Sequence, residues 1–235
     1  MRRLIQLVAD YGPGDLAFAE TVQWLALVAP DARVCATRVA PGDTLAAGLC
    51  VAELALGGGF DGRAVVHDVD GTPRDRRQWI GRTRAGALVV GPDYGWAWSF
   101  VTPQLIELCA LDVPADAHVA LAARHALSSH PHAVEAVIPR HLVPAPPTCV
   151  VVWADRAGNL QTTVAATPDE LVMVRIGQCR EPARLADRRG VAAAGELVLE
   201  PGARGLKRLR LGGGSAAERF GDPPAGTPVE VTSAD

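Results

Sequence analysis

The feature that most narrows the folds open to this chain is an alternation, in its first half, of short apolar runs with segments of helical periodicity. Leu4 to Ala9 is an apolar run closed by Asp10-Tyr11-Gly12-Pro13-Gly14-Asp15, and apolar residues then recur at Phe18, Val22, Leu25 and Val28 until Pro30 ends the pattern. Arg33 to Ala36 reads as a second strand, Asp43 to Leu56 as a second helix, Ala64 to His67 as a third strand and Ala87 to Val90 as a fourth. A parallel strand pair needs a crossover long enough to hold a helix, so this order predicts an α/β domain with a mainly parallel sheet flanked by helices.

The texture changes after residues 139–147, PRHLVPAPP, whose four prolines lack the N–H that a helix or a sheet ladder requires. The boundary is placed there: an α/β domain over 1–143, a proline-rich linker over 144–148 and a second domain over 149–235. Beyond the linker, Cys149 to Trp153, Leu160 to Val164, Leu171 to Ile176 and Glu196 to Leu199 are short β-branched runs separated by Gly, Pro and Asp turns. They predict a small all-β, barrel-like domain.

Composition limits the partners. The formal net charge is −3, with 23 Lys and Arg scattered among 26 Asp and Glu, so no basic face is expected and nucleic acid is not an expected ligand. No apolar stretch approaches the roughly 20 residues that span a bilayer, and the opening MRRLIQLVAD runs quickly into Asp10. A cytoplasmic protein without a membrane partner is expected. The five cysteines include no C-x-x-C pair, so buried free thiols are expected rather than a zinc or redox centre.

Four segments hold candidate chemistry. Asp10 to Asp15 follows the first strand and precedes the first helix, where a parallel sheet places ligands; Asp10 offers two carboxylate oxygens to a ribose diol, whereas Asp15 reads first as a helix N-cap. His67-Asp68-Val69-Asp70-Gly71-Thr72-Pro73-Arg74-Asp75-Arg76-Arg77 reads as a strand end and a charged loop, for which a solvated surface is the simpler reading. Gly91-Pro92-Asp93-Tyr94-Gly95 reads as a tight turn, followed by Trp96 and Trp98, which suit either core packing or stacking on an adenine ring. Asp155-Arg156-Ala157-Gly158-Asn159 has the composition of a hairpin turn, and it also carries an acid suited to an ammonium group and an amide suited to an adenine edge.

In this order the segments resemble the S-adenosylmethionine hydroxide adenosyltransferase, fluorinase and chlorinase family over nearly the whole chain. Leu7-Val8-Ala9-Asp10-Tyr11-Gly12 with Asp15 is similar to that family's Thr-Asp-Phe-Gly-x-x-Asp opening, with Tyr11 at the phenylalanine position. Val65-Val66 with Gly71-Thr72 and Arg74 resembles its Val-Val-Asp-Pro-Gly-Val-Gly-Thr-x-Arg loop, and Gly91 to Gly95 its Gly-Pro-Asp-Asn-Gly turn. Asp155 to Asn159 resembles its Asp-x-Phe-Gly-Asn motif, and Gly214-Ser215-Ala216-Ala217 its C-terminal end.

The resemblance implies S-adenosylmethionine as substrate with no further cofactor or metal, and a homotrimer with sites at subunit interfaces. Asp10 would hold the ribose hydroxyls; Asp155 and Asn159 would contact the amino-acid and adenine parts; Arg204 falls where the family has substrate-contacting polar residues. Hydroxide-transferring members hold water with Asp, Arg and His. With Gly71-Thr72 as anchor, those roles fall on His67 or its neighbour Asp68, on Arg74, and on His130 of Ser128-Ser129-His130-Pro131-His132. Thr37-Arg38 replaces the family's Thr-His pair, Ala157 its phenylalanine and Tyr94 its turn asparagine, which marks a divergent member. Hydrolysis to adenosine and methionine is the expected reaction; the alternatives are adenosyl binding without turnover, and adenosyl transfer to another nucleophile.

Overall fold

In the computed structural model of the 235-residue chain, residues 3–58, 62–71, 73–114, 117–127, 134–165, 171–188 and 190–234 are described. The chain divides into two compact units, Met1–Ala145 and Pro146–Asp235.

The first unit begins with β1 (Arg3–Ala9), α1 (Leu16–Val28), β2 (Ala32–Arg38), α2 (Thr44–Leu56) and β3 (Arg63–Asp68). It continues through β4 (Pro73–Thr83), β5 (Leu88–Tyr94), β6 (Leu105–Pro114), α3 (Val119–Leu127) and β7 (Val134–Val137). The seven strands form one sheet in the order β2-β1-β3-β5-β4-β6-β7. β2, β1, β3 and β5 are parallel, β4 is antiparallel to both β5 and β6, and β7 is antiparallel to β6. Five of the seven strands therefore point the same way, and the fold is α/β with a mixed, mainly parallel sheet.

Alternation along β1 sends Ile5, Leu7 and Ala9 to one face, where they pack with Leu25 and Ala29 of the α1 segment and Val119, Ala120 and Ala123 of α3. α2 packs on β1, β3 and β5, and nine of its 13 residues are buried, as expected of a helix that is apolar all round. Its start is set by Asp43, whose carboxylate accepts the Ala46 N–H at 2.9 Å. From β1 the chain crosses to β2 on one side and then returns past β1 to β3 on the other. The reversal falls between β1 and β3, and the crevice outside the carboxyl ends of the strands at such a switch point is where open α/β sheets bind ligands.

Two sequence expectations change. Most of the segment read as a charged loop is strand: β4 starts at Pro73 and runs to Thr83 between β5 and β6. The segment read as a tight turn is also strand up to Tyr94, and the chain turns only at Gly95, where φ is 48°. Pairing with β3 ends at Val90, so Pro92 lies where β5 is paired with β4 alone.

The second unit contains β8 (Val151–Ala154), β9 (Leu160–Thr162), β10 (Leu171–Ile176), β11 (Cys179–Leu185), β12 (Leu197–Pro201), β13 (Lys207–Leu211), α4 (Ala216–Arg219) and β14 (Val229–Ser233). Its sheet runs β14-β10-β11-β12-β13-β9-β8. The two outer strands meet again through a Val150 to Pro228 bridge and the Val151 N–H to Thr227 carbonyl bond, so the sheet curls into a half-barrel. Val151, Leu160, Val174, Leu199, Leu209 and Phe220 fill it.

Candidate functional site

Asp10 ends β1 at the crevice. Its Oδ2 accepts the Gly42 N–H at 2.9 Å and the Asp70 N–H at 3.1 Å, tying the loops after β2 and β3 to the end of β1. Oδ2 is thus occupied by backbone, whereas Oδ1 takes no bond from the described residues.

Asp15 is the residue before α1, yet its side chain makes no helix-capping bond. Instead Oδ2 accepts the Gly12 N–H at 2.7 Å, closing the glycine loop on itself, and Arg38 lies 3.9 Å away. Its role here is to shape the loop.

His67 and Asp68 are neighbours on β3 and therefore face opposite sides of the sheet. His67 has no solvent exposure, lies edge-on to Trp98 with ring centroids 5.3 Å apart, and packs so closely on Gly91 that a Cβ there would meet the imidazole at 2.4 Å. Neither ring nitrogen has a hydrogen-bond partner among the described residues. Burial pushes the imidazole down to about 3, so it is neutral. The residue at the aligned acid position thus belongs to the core. Trp98 shares that core, its Nε1–H donating to the Pro92 carbonyl at 3.0 Å.

Asp68 faces the crevice. The Tyr11 hydroxyl donates to its Oδ2 at 2.5 Å, across 57 residues of sequence, while Oδ1 takes no bond from the described residues. Burial raises the carboxyl above its usual range; the bond from Tyr11 and the nearby His118 oppose that rise, and the charges of Asp10 and Asp70 add to it. Burial, and then the Asp68 charge, raise the Tyr11 phenol well beyond its normal range, so it stays a donor.

Tyr11 in turn lies 2.9 Å from Thr21 Oγ1 on α1, and Thr21 Oγ1 lies 3.4 Å from His118 Nε2. His118 precedes α3 and its Nδ1 accepts the Ala120 N–H at 3.2 Å, as an N-cap side chain does. None of Tyr11, Thr21 or His118 was a sequence candidate. A tyrosine at a phenylalanine position of the motif was the one available signal, since nothing in the spacing joins Thr21 or His118 to Asp68.

Arg74 lies on β4; its side chain, like the whole of His130, lies outside the described residues. The three-residue water site expected from the resemblance is thus described at Asp68 alone.

In the second unit Asp155 and Asn159 are each other's partners. Asp155 Oδ1 accepts the Ala157 and Asn159 backbone N–H groups at 2.9 and 3.0 Å, and Asn159 Nδ2 donates to Oδ2 at 2.8 Å. Gly158, at φ +76°, abuts Ser215 so closely that a Cβ would meet its Oγ at 2.0 Å. Two segments of the resemblance thus meet within this unit, through the β8–β9 turn and the start of α4. Arg204 is not with them. The register Arg208 to Gln161 and Leu209 to Leu160 puts the β12–β13 hairpin tip, with Arg204, beyond the opposite end of β9 from Asn159.

A hollow of about 310 Å³ in this unit is bordered by Asp187, Arg188, Glu200 and Arg210. Glu200 is fully buried there and accepts bonds from Arg208 and Arg210, which hold its carboxyl below the usual range against the larger upward pull of burial. Two guanidiniums held on one buried carboxylate tie β12 to β13 and order the sheet.

No protein-family model matches the chain, and no curated protein matches it. Solved structures do. The chain is similar to an uncharacterized conserved protein from Thermotoga maritima, with a TM-score of 0.78 and 18% identity over 97% of this chain and all of the other. It is also similar to a conserved hypothetical protein from Thermus thermophilus, with a TM-score of 0.75 and 26% identity over 98% of this chain and all of the other. The whole fold, both units included, recurs in proteins of this kind.

Proposed function

We propose that the crevice at the ends of β1 and β3 binds S-adenosylmethionine and that Asp68 activates water for its hydrolysis to adenosine and methionine. The observation that carries this reading is the convergence of Asp10, Asp68 and Asp70 at the switch point of the sheet. An acidic crevice suits a sulfonium and disfavours a phosphate-bearing nucleotide, and Asp10 Oδ1 offers a ribose hydroxyl an acceptor. The resemblance in motif order supports the same ligand.

In this mechanism Asp68 Oδ1 holds a water in line with the C5'–S bond. As the water oxygen bonds to C5', the C–S electron pair goes to sulfur, releasing neutral methionine, and the water proton passes to Asp68. A carboxyl whose affinity for protons is raised by burial is the better base for that step. Arg74 and His130 belong to this reading as further groups on the water, and the homotrimer belongs to it as the assembly. Light scattering at three times the 24.6 kDa chain mass tests the trimer.

A second reading, nucleoside binding without turnover, is favoured by one observation: the aligned acid position is the core residue His67. Incubation of the protein with S-adenosylmethionine, with and without chloride, followed by chromatography separates the readings. Adenosine and methionine in equal amounts support hydrolysis; a chlorinated nucleoside formed only with chloride means transfer to another nucleophile; binding without product means a retired catalyst.

A further inference from the structure

We infer that Tyr11, Thr21 and His118 are positioning residues, a one-way chain of hydrogen-bond donors that fixes Oδ2 of Asp68 and leaves Oδ1 to face the crevice. The inference rests on the reading of Asp68 as the water-binding group.

The direction of the chain follows from its outer end. His118 Nδ1 accepts the Ala120 N–H, so the imidazole proton sits on Nε2, which donates to Thr21 Oγ1. Thr21 then gives its single hydroxyl proton to Tyr11, and Tyr11 gives its own to Asp68. Each donor is thereby committed toward the carboxylate. A chain so aligned favours the charged form of Asp68 and cannot take a proton from it without reversing every link, including the α3 cap at Ala120. Three elements contribute: the loop after β1, α1, and the residue before α3. Thr21 is buried and His118 is exposed, so the chain runs from the crevice to the surface. Among the described residues, the groups that act on Asp68 are Tyr11, whose hydrogen bond favours its ionised form, Asp10 and Asp70, whose charges oppose it, and His118, which with Nδ1 as an acceptor reaches it through Thr21 and Tyr11.

The hydroxyl at position 11 is a departure from the family motif, which carries phenylalanine there. Tyr11→Phe removes the donor and keeps the ring, so it isolates the hydroxyl. The readout is the titration of the Asp68 side-chain carboxyl, followed by carbon-13 NMR and assigned with Asp68→Asn. The Tyr11→Phe midpoint is expected to move to higher pH, and Thr21→Val, which leaves Tyr11 without its own donor, to move it less in the same direction. An Asp68 titration unchanged in both folded variants overturns the inference. Turnover of S-adenosylmethionine is measured alongside: no product from any protein, with the midpoint shifted, removes the hydrolase reading and leaves the donor chain standing. Wild-type turnover with an unmoved midpoint does the reverse.

Discussion

At the scale of single residues, two neighbours on β3 have opposite chemistry because a strand turns successive side chains to opposite faces. Asp68 meets the crevice and His67 meets Trp98 and Gly91. The folded imidazole resists protonation down to about pH 3, whereas an unfolded one takes a proton near 6.5. As pH falls below 6.5 the unfolded state therefore binds the extra proton first, and stability drops by about 1.4 kcal/mol per pH unit over that window. Denaturant unfolding of His67→Leu between pH 4 and 7 is expected to lose this slope, with stability at pH 7 within about 1.5 kcal/mol of the wild type. A slope that survives the substitution would place the proton uptake elsewhere. Motif alignment put His67 at the acid position, with Asp68 one residue displaced, and both were kept as candidates. Strand phase decides which side chain faces the crevice, and the motif does not encode it when the pattern has slipped by one residue.

Among the elements, those with simple periodicity were legible: α1, α2, β1, β2, β3 and β10 fall where apolar spacing put them. β4 was not, because its first residues, Arg74 to Arg77, read as solvated charge, whereas the strand is held by pairing on both sides with β5 and β6. Long-range pairing of this kind overrides local composition. The β8–β9 turn shows the opposite case. Its Asp and Asn fit both a ligand site and a turn, and in the fold their bonds go to each other and to the turn backbone. Asp155→Ala should therefore lower stability by about 1–2 kcal/mol, read as a fall in the urea midpoint. An unmoved midpoint combined with lost ligand binding would restore the pure ligand role.

For the whole molecule, the two-unit plan and the α/β followed by curled-β order were readable from the change of texture at the prolines, and the same plan recurs in the Thermotoga and Thermus proteins. The crevice itself was half readable. A glycine-bearing loop after the first strand pointed to Asp10, but the strand order that sets β3 beside β1, and so Asp68 beside Asp10, is a property of the assembled sheet. The partners that reach Asp68 from α1 and α3 were invisible for the same reason. The binding and the hydrolysis proposed for the crevice depend on its holding an adenosyl cation with Asp10 on the ribose. The decisive experiment is calorimetric titration of S-adenosylmethionine into wild-type, Asp10→Asn and Asp10→Ala protein. Asp10→Asn keeps an acceptor for the Gly42 and Asp70 N–H groups while removing the charge, so loop order is controlled. Binding to the wild type is expected, weakened about 10–100-fold in both variants by loss of a charge-assisted bond. Equal affinity in all three proteins, or no binding to the wild type, would contradict the assignment.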